Sequence, residues 1–347
     1  MTTVTAPAPW ITSSQQCTLE TCPMSYAHIT YLPNLGGNAF YIALFALFIP
    51  VQCYLGIRHR TWGYLFGAIC GLILEVLGYI ARIYMRHNPF IDRWFIMYLV
   101  CLTIAPAFLS GAIYVSLARI VGAYSAQISR IKQRSYSLIF ISFDIISLLL
   151  QAAGGAITTS NSASTVQDGI NIMIAGLSSQ VASLTLYIVI VLDFAFRVYR
   201  LSTNSPSPST SNTTFRLTPP SKRESDSQDL VPGENDADPD TDGLITLNPE
   251  FASLRASNRW KAFLFCQGLA VVCIYIRSCF RVAELCGGFN SHLANDQSTF
   301  MVLEGMMISI AVIAMSTWGH PGIGFNGRWE ALNYPMFGSG RKKGGDA

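Results

Sequence analysis

Seven apolar runs, separated by polar segments, set the pattern of the chain: about 38–57, 62–84, 94–121, 136–158, 170–196, 262–283 and 299–318. A helix needs roughly 20 such residues to cross a hydrocarbon layer of about 30 Å. Only a segment that satisfies its own backbone hydrogen bonds is stable in lipid, and a helix does so. The pattern therefore predicts an all-α integral membrane protein with seven transmembrane helices. Trp62, Trp94, Trp260 and Trp318 stand at the expected helix ends, where aromatic rings favour the headgroup layer.

Composition points the same way. Of 347 residues 51% are hydrophobic and 12% charged, about half the charged share of a soluble domain. The net charge of +3 says little, but its placement predicts orientation. Residues 1–37 and the loop 159–169 carry no Lys or Arg, whereas basic residues follow the first run (Arg58, Arg60) and the third (Arg130, Lys132, Arg134). They also follow the fifth (Arg197, Arg200, Arg216, Lys222, Arg223, Arg255, Arg259) and the seventh (Arg328, Arg341, Lys342, Lys343). By the positive-inside rule the N-terminus is outside and the C-terminus cytosolic. The expected organisation is an extracellular polar tail (1–37), a seven-helix domain (38–318) and a cytosolic tail (319–347). Residues 1–37 have neither the basic nor the apolar region of a signal peptide, so the first helix is expected to direct insertion.

The segment 201–258 interrupts the helical domain on the cytosolic side. Its stretches STNSPSPSTSNTT and PGENDADPDTDG are too polar to bury a core, so disorder is expected. It reads as a tolerated linker or as a phosphorylation-controlled loop with Ser225 and Ser227 as acceptors. The sequon at Asn212 lies on the cytosolic side and is expected to stay unglycosylated.

Six of nine cysteines (Cys53, Cys70, Cys101, Cys266, Cys273, Cys279) lie in apolar runs as small fillers. Cys17, Cys22 and Cys286 fall on the outer side, where a disulfide persists. A bridge between Cys17 and Cys22, or from either to Cys286, fits equally.

Charges inside the runs are the candidate chemistry, because an ionised group in hydrocarbon is costly and normally faces a partner or a polar cavity. Glu75 and Arg82 stand seven apart in the second run with Tyr79 between them; Arg277, Arg281 and Glu284 share one face of the sixth. Side-by-side packing of these helices would let Glu75 meet Arg277, and Arg82 meet Glu284. Asp144, with Gln151 seven later, and Glu304 are further candidates for a substrate or proton path. The alternative for all of them is a buried network that fixes helix register. Asp193 and Arg197 form a local pair, Gly63, Gly67 and Gly71 offer a small-residue stripe for close packing, and Pro50 and Pro106 interrupt helices.

No P-loop or nucleophile elbow occurs, and His28, His59, His87, His292 and His320 form no zinc pattern. No enzyme activity, cofactor, metal or nucleic-acid partner is expected.

Several short pieces recur in order over about residues 26–322: YLPN (31–34), EVLGYIAR (75–82), AP (105–106), Asp144, QAAGG (151–155), RSCFRVAE (277–284), Glu304 and HPG (320–322). On these the chain resembles the fungal RTA-like, or lipid-translocating exporter, family. The resemblance implies a plasma-membrane exporter of amphipathic lipids such as sphingoid long-chain bases, resistance to toxic hydrophobic compounds, and porphyrin handling in some members. It carries no catalytic mechanism. A seven-helix receptor or a stress-response protein without transport shares the topology and remains the alternative; oligomeric state is not readable.

Overall fold

A computed structural model describes residues 17–23, 27, 29, 31–124, 133–158, 163–204, 251–287 and 296–329. The seven runs are helices: α1 (Leu35–Arg58), α2 (Trp62–His87), α3 (Asp92–Tyr124), α4 (Gln133–Ile157), α5 (Ala163–Asn204) and α6 (Asn258–Cys286). The seventh, α7, joins α-helical Gln297–Phe300, π-helical Met301–Met306 and α-helical Met307–Ser316. Each of the seven is long and apolar enough to cross a membrane, and no strand occurs among the described residues. The side chains of Asn34, Ser257 and Asp296 cap α1, α6 and α7 by accepting from free N–H groups of the first turn.

Each helix packs on its sequence neighbour and α7 returns to α1, so the seven close a ring; α3 is drawn inward and also touches α6. Large apolar side chains cover the outside, among them Phe40, Leu47, Phe66, Leu149 and Phe265, all more than 60% exposed. Such a surface would aggregate in water and suits lipid.

The small-residue stripe joins α2 to α3, but its members are unequal. A Cβ on Gly67 would lie 2.8 Å from the Phe108 carbonyl oxygen, and one on Gly71 3.1 Å from that of Ala105. At Gly63 the nearest atom is a Val115 methyl at 3.6 Å, an ordinary contact. Gly67→Val is therefore expected to lower stability by about 1–3 kcal/mol, since backbone must shift, while Gly63→Ala leaves it unchanged or slightly raised. Thermal unfolding of both variants in detergent checks this; equal effects would refute the assignment.

The folded part extends beyond the apolar runs. The segment 201–258, expected to be disordered, is ordered at both edges: α5 continues to Asn204, and Ala252–Ala256 is helical. The cause is local, because Phe251 and Leu254 bury themselves against Trp260, Phe325 and Trp329, apolar residues that the average composition of the insertion hides. Arg255 donates to the Ala123 carbonyl at 2.7 Å, and Arg119 stacks 3.6 Å over Trp329. Asn212, Ser225 and Ser227 lie outside the described residues. At the opposite end of the bundle Cys17 and Cys22 are joined in a disulfide packed on Phe90, and Cys286 is an exposed free thiol. Asp193 and Arg197 pair at 2.9 Å.

Candidate functional site

Six charged residues, none more than 6% exposed, gather inside the half of the bundle nearer the disulfide: Glu75, Arg82, Arg277, Arg281, Glu284 and Glu304. Three carboxylates and three guanidiniums balance formally, as burial requires, because an unpaired ion in this environment costs several kcal/mol.

The helix geometry explains the arrangement. Arg277 and Arg281 lie one turn apart on α6, and Glu304 sits in the π-helical turn of α7, the helix beside it. Arg277 donates to the Glu304 carboxylate and to the carbonyl of Leu102 in α3. That carbonyl is available because the residue four places on is Pro106, which has no N–H to return the helical bond. Arg281 donates to Glu284 at 2.5 Å and stands 3.8 Å from Glu304. The π turn is held from α1, where the Tyr41 hydroxyl donates to the Met301 carbonyl at 2.7 Å. Single π turns inside α-helices recur at functional sites.

The structure departs from the pairing that spacing suggests. α3, which packs on both α2 and α6, lies between them, so Arg277 takes its carboxylate from α7 rather than from Glu75. Glu75 remains within the electrostatic reach of Arg277, Glu304 and Arg281, but its Oε1 has no hydrogen-bond partner among the described residues. The buried hydroxyl of Tyr79 is likewise unpartnered, and its ring rests on Tyr41 with centroids 5.0 Å apart. Tyr41 also lines a cleft of about 500 Å³ between the first turns of α1 and α7, with Asn34, Gly37, Gln297 and Met301.

Arg82 does not bond to Glu284. Its guanidinium lies 3.8 Å over the Phe300 ring and 5.0 Å over Tyr98, and it donates to Tyr31 Oη at 3.0 Å and Asn38 Oδ1 at 3.3 Å. Residues 31–34, YLPN, are thereby fastened to the bundle, with Arg86 donating to the Pro33 carbonyl at 2.8 Å.

Asp144 and Gln151 belong to a second polar seam, between α4, α5 and α3. Asp144 Oδ2 accepts from Ser110 at 3.0 Å, and Oδ1 is unpartnered although Tyr114 and Ser183 lie beside it. One turn on, Ser147 and Ser179 share a hydrogen bond of 2.6 Å, and Gln151 Nε2 donates to Gln180 at 3.2 Å. Close backbone approach makes the seam: a Cβ on Gly176 would lie 2.9 Å from the Ser147 carbonyl oxygen.

Tyr31, Asn38, Tyr98, Ser110 and Phe300 were not legible as partners, since they come from other parts of the chain and carry no charge. Pro106 carried a signal in hindsight, because a proline frees the carbonyl four residues earlier. No group of three or more His, Cys, Asp or Glu placed to hold a metal occurs among the described residues.

Residues 68–328 match the family described as RTA1 like protein. The sphingoid long-chain base transporter RSB1 of Saccharomyces cerevisiae is 31% identical over 310 residues, 87% of this chain and 75% of the relative. Protoporphyrin uptake protein 1 of the same yeast is 31% identical over 131 residues, 38% of this chain and 43% of the relative. Protein RTM1 is 30% identical over 132 residues, 38% of this chain and 42% of the relative. No solved structure gives a match. A family match across three quarters of the chain and a relative aligned over most of both lengths lead to one statement: this multi-pass membrane protein belongs to the RTA1-like family.

Proposed function

We propose that the protein exports amphipathic lipids or lipid-like toxic compounds across the plasma membrane, sphingoid long-chain bases first among them, and so confers resistance. The observation that carries this reading is the buried Glu75 carboxylate with an oxygen left unpartnered beside the equally unpartnered Tyr79 hydroxyl. An ammonium headgroup with neighbouring hydroxyls supplies the donors that such acceptors lack, and in a dry environment that complementarity is worth more than in water. Arg277, Arg281, Glu284 and Glu304 frame the site, Arg82 closes its outer side, and the seam of Asp144 and Gln151 offers a second polar station. Family membership and the long-chain base transporter among the relatives support the substrate class. The protein works as a carrier rather than an enzyme, with the N-terminus outside and the C-terminus in the cytosol.

The test is reconstitution into liposomes with fluorescent long-chain base. Translocation without any other protein is expected, and Glu75→Gln and Asp144→Asn are expected to reduce its rate with folding intact. A wild-type protein that leaves the lipid where it was added overturns the proposal.

A further inference from the structure

A second cavity, of about 630 Å³, lies between α3, α5 and α6 toward the end of the bundle opposite the disulfide. That size falls within the roughly 300–1,000 Å³ of pockets that hold small ligands. Its walls are apolar, with Leu117 and Ile120 from α3, Val191 and Leu192 from α5, and Leu264 and Val271 from α6.

Two further observations give it a direction and a polar end. Leu192 and Val272 line the cavity and yet are 63% and 49% exposed on the outer face of the bundle, so it opens sideways, toward lipid. Gly268 stands at this opening, and a Cβ there would meet nothing within 4 Å. At the inner wall is Gln267, 5% exposed, whose Nε2 donates to the Gly319 carbonyl at 2.7 Å and whose Oε1 has no partner among the described residues. Gln267 and Gln52 both lie beside the Tyr64 hydroxyl, in a buried polar group where Gln52 donates to Ser316 at 2.9 Å and Tyr64 to the Met315 carbonyl at 3.0 Å. There Gln52 Oε1 and His320 Nε2 are unpartnered as well.

We infer that this cavity is a lateral chamber for a single-chain amphiphile, with the tail between α5 and α6 and a hydroxyl of the headgroup donating to Gln267. A ligand reaching the chamber comes from the bilayer, and one without a hydrogen-bond donor leaves the buried acceptor unsatisfied, which costs about 1–3 kcal/mol. Among the described residues no carboxylate lines the chamber and Arg255 does, so the hydroxyl, not an ammonium, is what it recognises there. Gln267 and Arg277 are ten residues apart on α6, about 15 Å along the axis, which places chamber and charged cluster at different depths along one helix. The inference rests on the proposed transport of long-chain bases and adds a separate station for them, because a headgroup whose hydroxyl is on Gln267 has its ammonium there too and not at Glu75.

The experiment uses the full chain in lipid nanodiscs and a photoactivatable diazirine analogue of sphinganine, with adducts mapped by mass spectrometry. Adducts are expected on α5 and α6 around Leu192 and Val271, and Gly268→Phe, which fills the opening without a backbone clash, is expected to lose most of them while melting as wild type. On the wild-type protein sphinganine is expected to compete better than octadecylamine, which keeps tail and amine but has no hydroxyl; Gln267→Leu removes that preference. Adducts elsewhere, adducts indifferent to Gly268→Phe, or equal competition by the two amines on wild type overturn the chamber. Translocation in liposomes that Gly268→Phe leaves unchanged sinks the chamber and spares the transport proposal. Labelling lost in Gly268→Phe, with no translocation by wild type, does the reverse.

Discussion

Glu304→Leu is expected to lower the unfolding free energy of the solubilised protein by about 3–5 kcal/mol, the cost of stranding one partner of a buried ion pair. Arg277, 1% exposed, would keep the Leu102 carbonyl but no bonded carboxylate, and its Nε already lacks a partner. Arg281 would lose the carboxylate 3.8 Å from its Nε. The double variant Arg277→Leu/Glu304→Leu is expected to recover most of the loss, because one charge of each sign leaves and the remaining two acids and two arginines still balance. Removing a whole buried pair in favour of apolar packing is often neutral or stabilising. Thermal unfolding of wild type, both singles and the double forms the cycle. A single variant as stable as wild type, or a double worse than either single, would show that the pair does not hold the cluster.

If the double variant folds and no longer carries lipid in the liposome assay, Arg277 and Glu304 are retained for the cargo and not for the fold. Apolar packing surrounds the pair: α3 alone buries Leu102, Ala105 and Ala112 completely. A network of six ions concentrates desolvation cost in one place, and a π turn lies beneath Glu304. Both features converge on the same few residues.

How much of this was legible in the sequence depends on the range of the physics involved. Apolar length alone identifies the seven helices, because lipid leaves the backbone no other choice. Periodicity rightly put Arg277, Arg281 and Glu284 on one face. It could not say which helix faces them, since closure of α7 on α1 and the inward position of α3 are set by packing between residues far apart in the chain. The expected Glu75–Arg277 pair therefore became an Arg277–Glu304 pair, with Glu75 beside it but unbonded. Asp144 and Gln151, candidates for a substrate or proton path, are buried, and the structure assigns them to a seam of their own. The π turn at Met301–Met306 has no sequence signature of the kind proline gives to α3. The ordered edge at Phe251–Ala256 was hidden because composition averaged over a long polar insertion dilutes two apolar residues.

Arg82→Lys keeps the charge and is nevertheless expected to cost about 3 kcal/mol, through loss of the stacked guanidinium and of at least one charged hydrogen bond. The planar group lies 3.8 Å over the Phe300 ring while its nitrogens reach Tyr31 and Asn38 together. An ammonium is a compact point charge and cannot do both, so the substitution is not conservative here. Because Tyr31 belongs to the segment before α1, and Phe300 adjoins the π turn of α7, the damage should appear at two places. Hydrogen exchange is expected to rise in residues 31–34, released from the bundle, and in the first turns of α7. The hydrogen bond from Arg86 to the tail is no substitute, since it is a single contact to the Pro33 carbonyl. Arg82→Lys that melts with wild type and leaves exchange at residues 31–34 unchanged would mean that charge alone, and not the stacked plane, is what this position requires.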